Sequence, residues 1–183
     1  MNSLKRSLVV GTVFGALVFV VAFVGGFAIT AAFGPGTSGV ITATSTSALV
    51  VLAGHLAARF PTLLTANFVF AALAIPTSLF GPFGPLKILF GIGTGLIYEG
   101  IVALMQRSDK SFIISAGASA FVSVYLIFFG SSILIGVVSP TLQKYLHIFA
   151  LVYGVLGALG GVLGNYLFRR IENTPTVKNL DSN

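Results

Sequence analysis

Polar side chains are sparse along this chain and fall in short clusters, leaving six long apolar runs at 8–33, 39–57, 62–80, 88–105, 112–138 and 145–168. Within the runs, apolar residues follow neither the one-sided stripe of a surface helix nor the alternation of a half-buried strand. A membrane crossing takes about 20 residues, with roughly 17–25 as the working range, and each run meets or approaches that length. Hydrocarbon holds no water to satisfy a free N–H or C=O, so a crossing segment must be a helix or part of a closed barrel. A barrel strand would alternate polar and apolar positions, and these runs do not. The pattern therefore predicts an all-α integral membrane protein. It comprises a single six-transmembrane-helix domain over 1–171 and a polar, disordered tail at 172–183. The run at 39–57 is diluted by Thr42, Thr44, Ser45, Thr46 and Ser47. Membrane helices accept such residues where they face a neighbouring helix.

Charge then sets the orientation. Short cytoplasmic loops are enriched in Lys and Arg. With the N-terminus inside, Lys5, Arg6, Arg59, Arg107, Lys110, Arg169, Arg170 and Lys178 fall on the cytoplasmic side, and only Lys87 and Lys144 fall outside. Six crossings with both termini cytoplasmic give the strongest bias. Lys5 and Arg6 precede the first run as in a signal peptide, but that run far exceeds the roughly 7–15 residues of a cleavable core. A retained first helix is expected.

Composition agrees, with 56% hydrophobic and 8% charged residues, against about 25% charged in an average soluble domain. The net charge of +6 is spread singly and in pairs between the runs, which argues against a nucleic-acid face. The chain has no cysteine, which excludes disulfides, a thiolate nucleophile and thiolate metal sites. Gly34-Pro35-Gly36, Gly81-Pro82-Phe83-Gly84-Pro85 and Ser139-Pro140 mark the outer connections. Phe33-Gly34-Pro35 recurs as Phe80-Gly81-Pro82, either as a repeated hairpin or as ordinary helix termination.

Few residues offer chemistry. Glu99 is the only acid inside a predicted span, and such a group costs at least about 2.5 kcal/mol at membrane depth unless water or a partner compensates it. It is read either as a ligand-facing or proton-linked carboxylate, or as an acid near the cytoplasmic end of its helix that pairs with Arg107. Lys87 begins the same helix, about 18 Å away at the usual rise. It is read as an entrance group for an anionic substrate or as a snorkelling lysine. Asn67, Asn165, Tyr98, Tyr125 and Tyr153 are candidate substrate-binding residues, with interhelical hydrogen bonding as the alternative role. His55 and His147 fall near opposite surfaces, so no metal site is assigned.

Small residues form helix-packing ridges. Gly91 and Gly95 lie on the ridge of Glu99, and Ser111, Ser115, Ser119 and Ser123 form another. Gly157 with Gly161, Gly160 with Gly164, and Gly11 with Gly15 repeat the same spacing. The sequence contains no phosphate-binding loop, nucleophile elbow or His-Glu-x-x-His pair. A lone intramembrane acid does not make a catalytic constellation. No enzymatic activity and no cofactor are expected.

The run Gly84-Pro85-Leu86-Lys87 leading into Gly91-Ile92-Gly93-Thr94-Gly95, with Glu99 beyond, resembles the start of the fourth helix in substrate-binding S components of energy-coupling factor (ECF) vitamin transporters. The chain's size, its six predicted helices with both ends inside, and the Gly/Pro-rich connection after the first helix are similar too. The resemblance covers nearly the whole chain. It implies a multi-pass protein of a prokaryotic plasma membrane that binds a small organic micronutrient from outside. It further implies membrane lipid as surroundings, and a transmembrane coupling protein with two ATPase subunits as partner. By the same resemblance, Lys87, Tyr125 and Asn165 become pocket or supporting residues. Gly11 and Gly15 then stand where the family usually carries the Ala-x-x-x-Ala coupling motif. Two other classes remain open: a self-sufficient secondary transporter using Glu99 for protons, and a non-transporting assembly subunit.

Overall fold

A computed structural model of the chain describes residues 3–33, 38–57, 59–77, 84–135, 140–175 and 177. The described residues are all-helical, with turns between helices and no strand. The helices are α1 (Ser3–Phe33), α2 (Ser38–Leu56), α3 (Thr62–Ala74), α4 (Leu86–Leu104), α5 (Asp109–Ile135) and α6 (Pro140–Ile171). Four segments, Ser3–Ala32, Leu86–Leu104, Asp109–Gly130 and Gln143–Ile171, are long and apolar enough to cross a membrane. These features define a helical protein suited to a membrane.

Each helix packs on two others, closing a ring in the order α1, α3, α4, α5, α6, α2 and back to α1. α2 also touches α3 and α5 across the ring. Large apolar side chains point outward, among them Val9, Val13, Leu17, Val20 and Val24 on α1, and Leu151, Val155, Leu159 and Val162 on α6. Small side chains fill the interior, including Ala22, Ala48, Ala53, Ala66, Ala116, Ser111 and Ser115. This arrangement suits lipid as the solvent, because lipid tails give apolar side chains no reason to turn inward and close packing becomes the main attraction between helices.

The small-residue ridges set the helix pairings. A Cβ on Gly91 would lie 2.6 Å from the Asn67 carbonyl, and one on Gly95 would lie 2.8 Å from Leu64 Cα, so α3 rides directly on the backbone of α4. On α6, Gly157 and Gly161 face α5 while Gly160 and Gly164 face α2. Gly11 and Gly15 face α3, where added Cβ atoms would meet the Thr62 and Ala66 carbonyls at 2.7 and 2.6 Å.

The helix bounds follow the apolar runs except at α3, which ends at Ala74 where the sequence predicts a helix to residue 80. Pro76 explains the stop: it has no N–H to continue the ladder. The chain instead closes in tight turns, with Ile75 N donating to the Ala72 carbonyl and Thr77 N to the Ala74 carbonyl. Residues 78–80 lie outside the described residues, as do Gly34-Pro35-Gly36, Gly81-Pro82-Phe83, Ser139 and Lys178. The Phe-Gly-Pro recurrence therefore has no structural description. The tail, expected to be disordered, continues beyond α6 in hydrogen-bonded turns: Thr174 N donates to the Ile171 carbonyl and Val177 N to the Thr174 carbonyl. Val177 is buried, and residues 176 and 178–183 of the expected tail lie outside the described residues.

Candidate functional site

The site is built around the short helix. At about 1.5 Å per residue, the 13 residues of α3 span roughly 20 Å, against a hydrocarbon thickness of about 30 Å. Both ends expose backbone groups without intrahelical partners, and the residue before α3, Pro61, supplies no side-chain cap. α4 runs antiparallel beside it and meets both needs. Glu99 Oε1 accepts from Leu63 N at 2.8 Å, at the positive end of the α3 dipole. Lys87 Nζ donates at the negative end to the Ala74 carbonyl at 2.8 Å, to Thr77 Oγ1 at 3.3 Å and to the Thr77 carbonyl. The two charges stand three turns apart on α4 because α3 is about three and a half turns long.

Arg107 completes the Glu99 end, donating from Nη2 to Oε2 at 3.1 Å. Gln106 and Arg107 both have positive φ, 55° and 51°, a left-handed turn that folds Arg107 back over α4. A second cation caps the neighbouring helix: Arg6 Nη2 donates to the Leu56 carbonyl at 2.6 Å, at the end of α2.

A cavity of about 380 Å³ opens in the middle of the ring, within the half where α1, α3 and α5 end and α2, α4 and α6 begin. Apolar surface comes from Val18, Val50, Phe70, Phe90 and Ile127. Polar groups come from Thr42, Thr46 and Ser47 on α2, Asn67 on α3, Lys87, Thr94 and Tyr98 on α4, Ser119 and Ser123 on α5, and Tyr153 on α6. Tyr98 is hydrogen-bonded to Ser47, and the Tyr153 hydroxyl packs against Gly39, which has no side chain to block it. The floor is the hydrophobic core, where Val51, Leu63, Val102, Phe112 and Ala116 are nearly inaccessible.

Below that floor lies a polar cluster at the end of the bundle that carries Ser3 and Ile171. His55 Nε2 meets Asn165 Oδ1 at 2.7 Å, between the rings of Phe112 and Phe168. Asn165 Nδ2 donates to the Asp109 carbonyl at 2.9 Å, and Arg169 Nη2 to Asp109 Oδ2 at 2.5 Å. This network joins α2, α5 and α6.

Of the residues singled out from sequence, Lys87, Asn67, Tyr98 and Tyr153 come together around the cavity. Glu99 is absent from its lining and serves the end of α3. Asn165 belongs to the polar cluster. The Tyr125 hydroxyl pairs with His147 Nδ1 at 2.6 Å, away from the cavity lining and at the other end of the bundle from His55. Gly11 and Gly15, expected to meet a partner protein, are turned onto α3. From sequence the cavity hydroxyls Thr46, Ser119 and Ser123 read only as dilution or packing, and Thr94 only as part of the run from Gly91 to Gly95 that carries the resemblance. Their signal was present: Thr42 with Thr46, and Ser119 with Ser123, repeat at four residues and so share a helix face.

No protein-family model matches this chain, and neither the curated proteins nor the solved structures compared with it give a match.

Proposed function

We propose that this protein is the substrate-binding membrane subunit of an ECF-type importer. It spans a prokaryotic plasma membrane six times with both termini cytoplasmic. It takes a small organic micronutrient from outside and passes it inward through a transmembrane coupling protein driven by two ATPases. It binds its substrate without transforming it. The observation that carries this reading is the central cavity, whose volume falls within the roughly 300–1,000 Å³ typical of small-molecule sites and whose lining combines apolar rings with a few convergent polar groups. In the proposed orientation the cavity occupies the outer half of the bundle, and the core beneath it separates the substrate from the cytoplasm. Release inward then requires rearrangement, the step an ATP-driven partner would supply.

The proton-linked alternative loses its main support, because Glu99 holds Leu63 N and Arg107 and does not line the cavity. The assembly-subunit alternative leaves the cavity without a purpose. The test is gentle purification from native membranes, with identification of co-purifying proteins and mass spectrometry of released small molecules. A transmembrane protein with ATPase subunits and a bound metabolite are expected. Recovery of neither, under conditions that preserve known importers, would end the proposal.

A further inference from the structure

Four of the cavity hydroxyls have committed their protons to the protein. Thr46 Oγ1 donates to the Thr42 carbonyl at 2.7 Å and Thr94 Oγ1 to the Phe90 carbonyl at 2.8 Å. Ser119 Oγ donates to the Thr94 carbonyl at 3.1 Å and Ser123 Oγ to the Ala120 carbonyl at 2.7 Å. A hydroxyl carries one proton and two lone pairs, so each of these groups offers the cavity only an acceptor. Asn67 is committed in part: one of its two Nδ2 protons goes to the Leu63 carbonyl at 2.9 Å, and its Oδ1, 3.4 Å from a Thr94 hydroxyl that lies closer to the Phe90 carbonyl, adds an acceptor.

The charge balance narrows the ligand further. No Asp or Glu lines the cavity among the described residues, so a cationic ligand would find no counter-charge and would face Lys87. An anion would find that the Lys87 ammonium, with its three N–H donors, already holds the Ala74 and Thr77 carbonyls and the Thr77 hydroxyl. Drawing Lys87 away would bare the end of α3. Phe70 and Phe90 supply apolar faces suited to a ring.

We infer that the ligand is an uncharged molecule with an apolar, ring-bearing body and a polar edge carrying several N–H or O–H donors. This inference rests on the cavity being the substrate site proposed above. Donors on the ligand match the acceptors that Thr46, Asn67, Thr94, Ser119 and Ser123 present, and the aromatic walls match its body.

The test uses the full chain in lipid nanodiscs, incubated with a bacterial small-molecule extract divided by ion exchange into anionic, cationic and uncharged fractions. Retained compounds are identified by mass spectrometry. Retention from the uncharged fraction of a donor-bearing ring compound is expected. For that compound, Thr46→Val and Ser123→Ala each weaken binding roughly two- to tenfold, the usual worth of one hydrogen bond. Thr46→Ser and Ser123→Thr, which keep the acceptor, bind within about twofold of the unaltered chain. Both hydroxyls donate within their own helices, so these substitutions break no bond between helices. Retention of an anion, a cation or a compound without donors would overturn the inference while leaving a binding role intact, as would unchanged affinity in both the Val and Ala variants. Retention from no fraction would overturn the substrate-binding reading itself.

Discussion

Glu99 and Lys87 are nearly inaccessible, at 3% and 2% exposure, and each is held by the backbone of another helix. Removing Glu99 leaves Leu63 N and the Arg107 guanidinium without their acceptor. Loss of one partner from a buried pair costs about 3 kcal/mol or more, and Arg107 is only partly buried. Glu99→Ala is therefore expected to lower stability by about 3 kcal/mol, seen as an earlier midpoint in SDS titration of the purified chain. Glu99→Gln keeps a carbonyl acceptor for Leu63 and should lose about half as much. If the protein works as proposed, neither variant should change the pH dependence of uptake by the assembled importer, and a flattened pH profile in Glu99→Gln would revive the proton-linked reading. Lys87→Met should cost about 1–3 kcal/mol through the unsatisfied α3 carbonyls, and an unshifted midpoint would show that they find another donor. That both residues needed compensation was legible in the sequence, because an intramembrane charge is costly wherever it lies. The Arg107 partnership was also within reach, eight residues along the chain. The end of α3 as the partner of Lys87 was not, because that role exists only once α3 stops at Ala74.

At the scale of helices, the spacing of small residues was the most readable feature. The pairs Gly91 and Gly95, Gly157 and Gly161, and Gly160 and Gly164 each announce a close approach, and the structure supplies α3, α5 and α2 respectively. Spacing says that a backbone comes near but not whose backbone it is, which is why Gly11 and Gly15 fitted an external partner as readily as α3. The structure makes a different outcome measurable. A leucine at Gly15 must clear the Ala66 carbonyl, 2.6 Å from its Cβ, and Val69 Cβ at 2.8 Å. Overpacking of this kind costs typically about 1–3 kcal/mol. Gly15→Leu is thus expected to reduce stability and ligand retention together. Loss of transport with stability and binding both unchanged would return these glycines to a partner interface. The cavity was less legible than the packing for a related reason. A Ser or Thr in a membrane helix satisfies its own proton on the preceding turn whether it lines a cavity or a helix contact, so the sequence presents the same pattern in both cases.

The whole molecule turns on which end of the ring faces outward. Helices that reverse at every connection bring Ser3 and Ile171 to one end and Phe33, Ser38, Leu86 and Pro140 to the other. The cavity lies toward the second end, while the first carries Arg6, Arg59, Arg107, Lys110, Arg169 and Arg170 near helix termini. Basic residues are retained on the cytoplasmic side, so the arrangement that hides the cationic end from the exterior also opens the cavity half toward it. An importer needs that coincidence, since a site facing the cytoplasm could not capture an external substrate. The absence of cysteine makes the arrangement directly measurable: Lys5→Cys, Lys144→Cys and Lys178→Cys, introduced singly, give one thiol each. In intact cells a membrane-impermeant maleimide should label Lys144→Cys alone, and permeabilisation should expose the other two. Labelling of Lys5→Cys and Lys178→Cys from opposite sides would mean an odd number of crossings. Labelling of both from outside would invert the bundle and point the cavity inward, and either result would remove the physical basis for uptake.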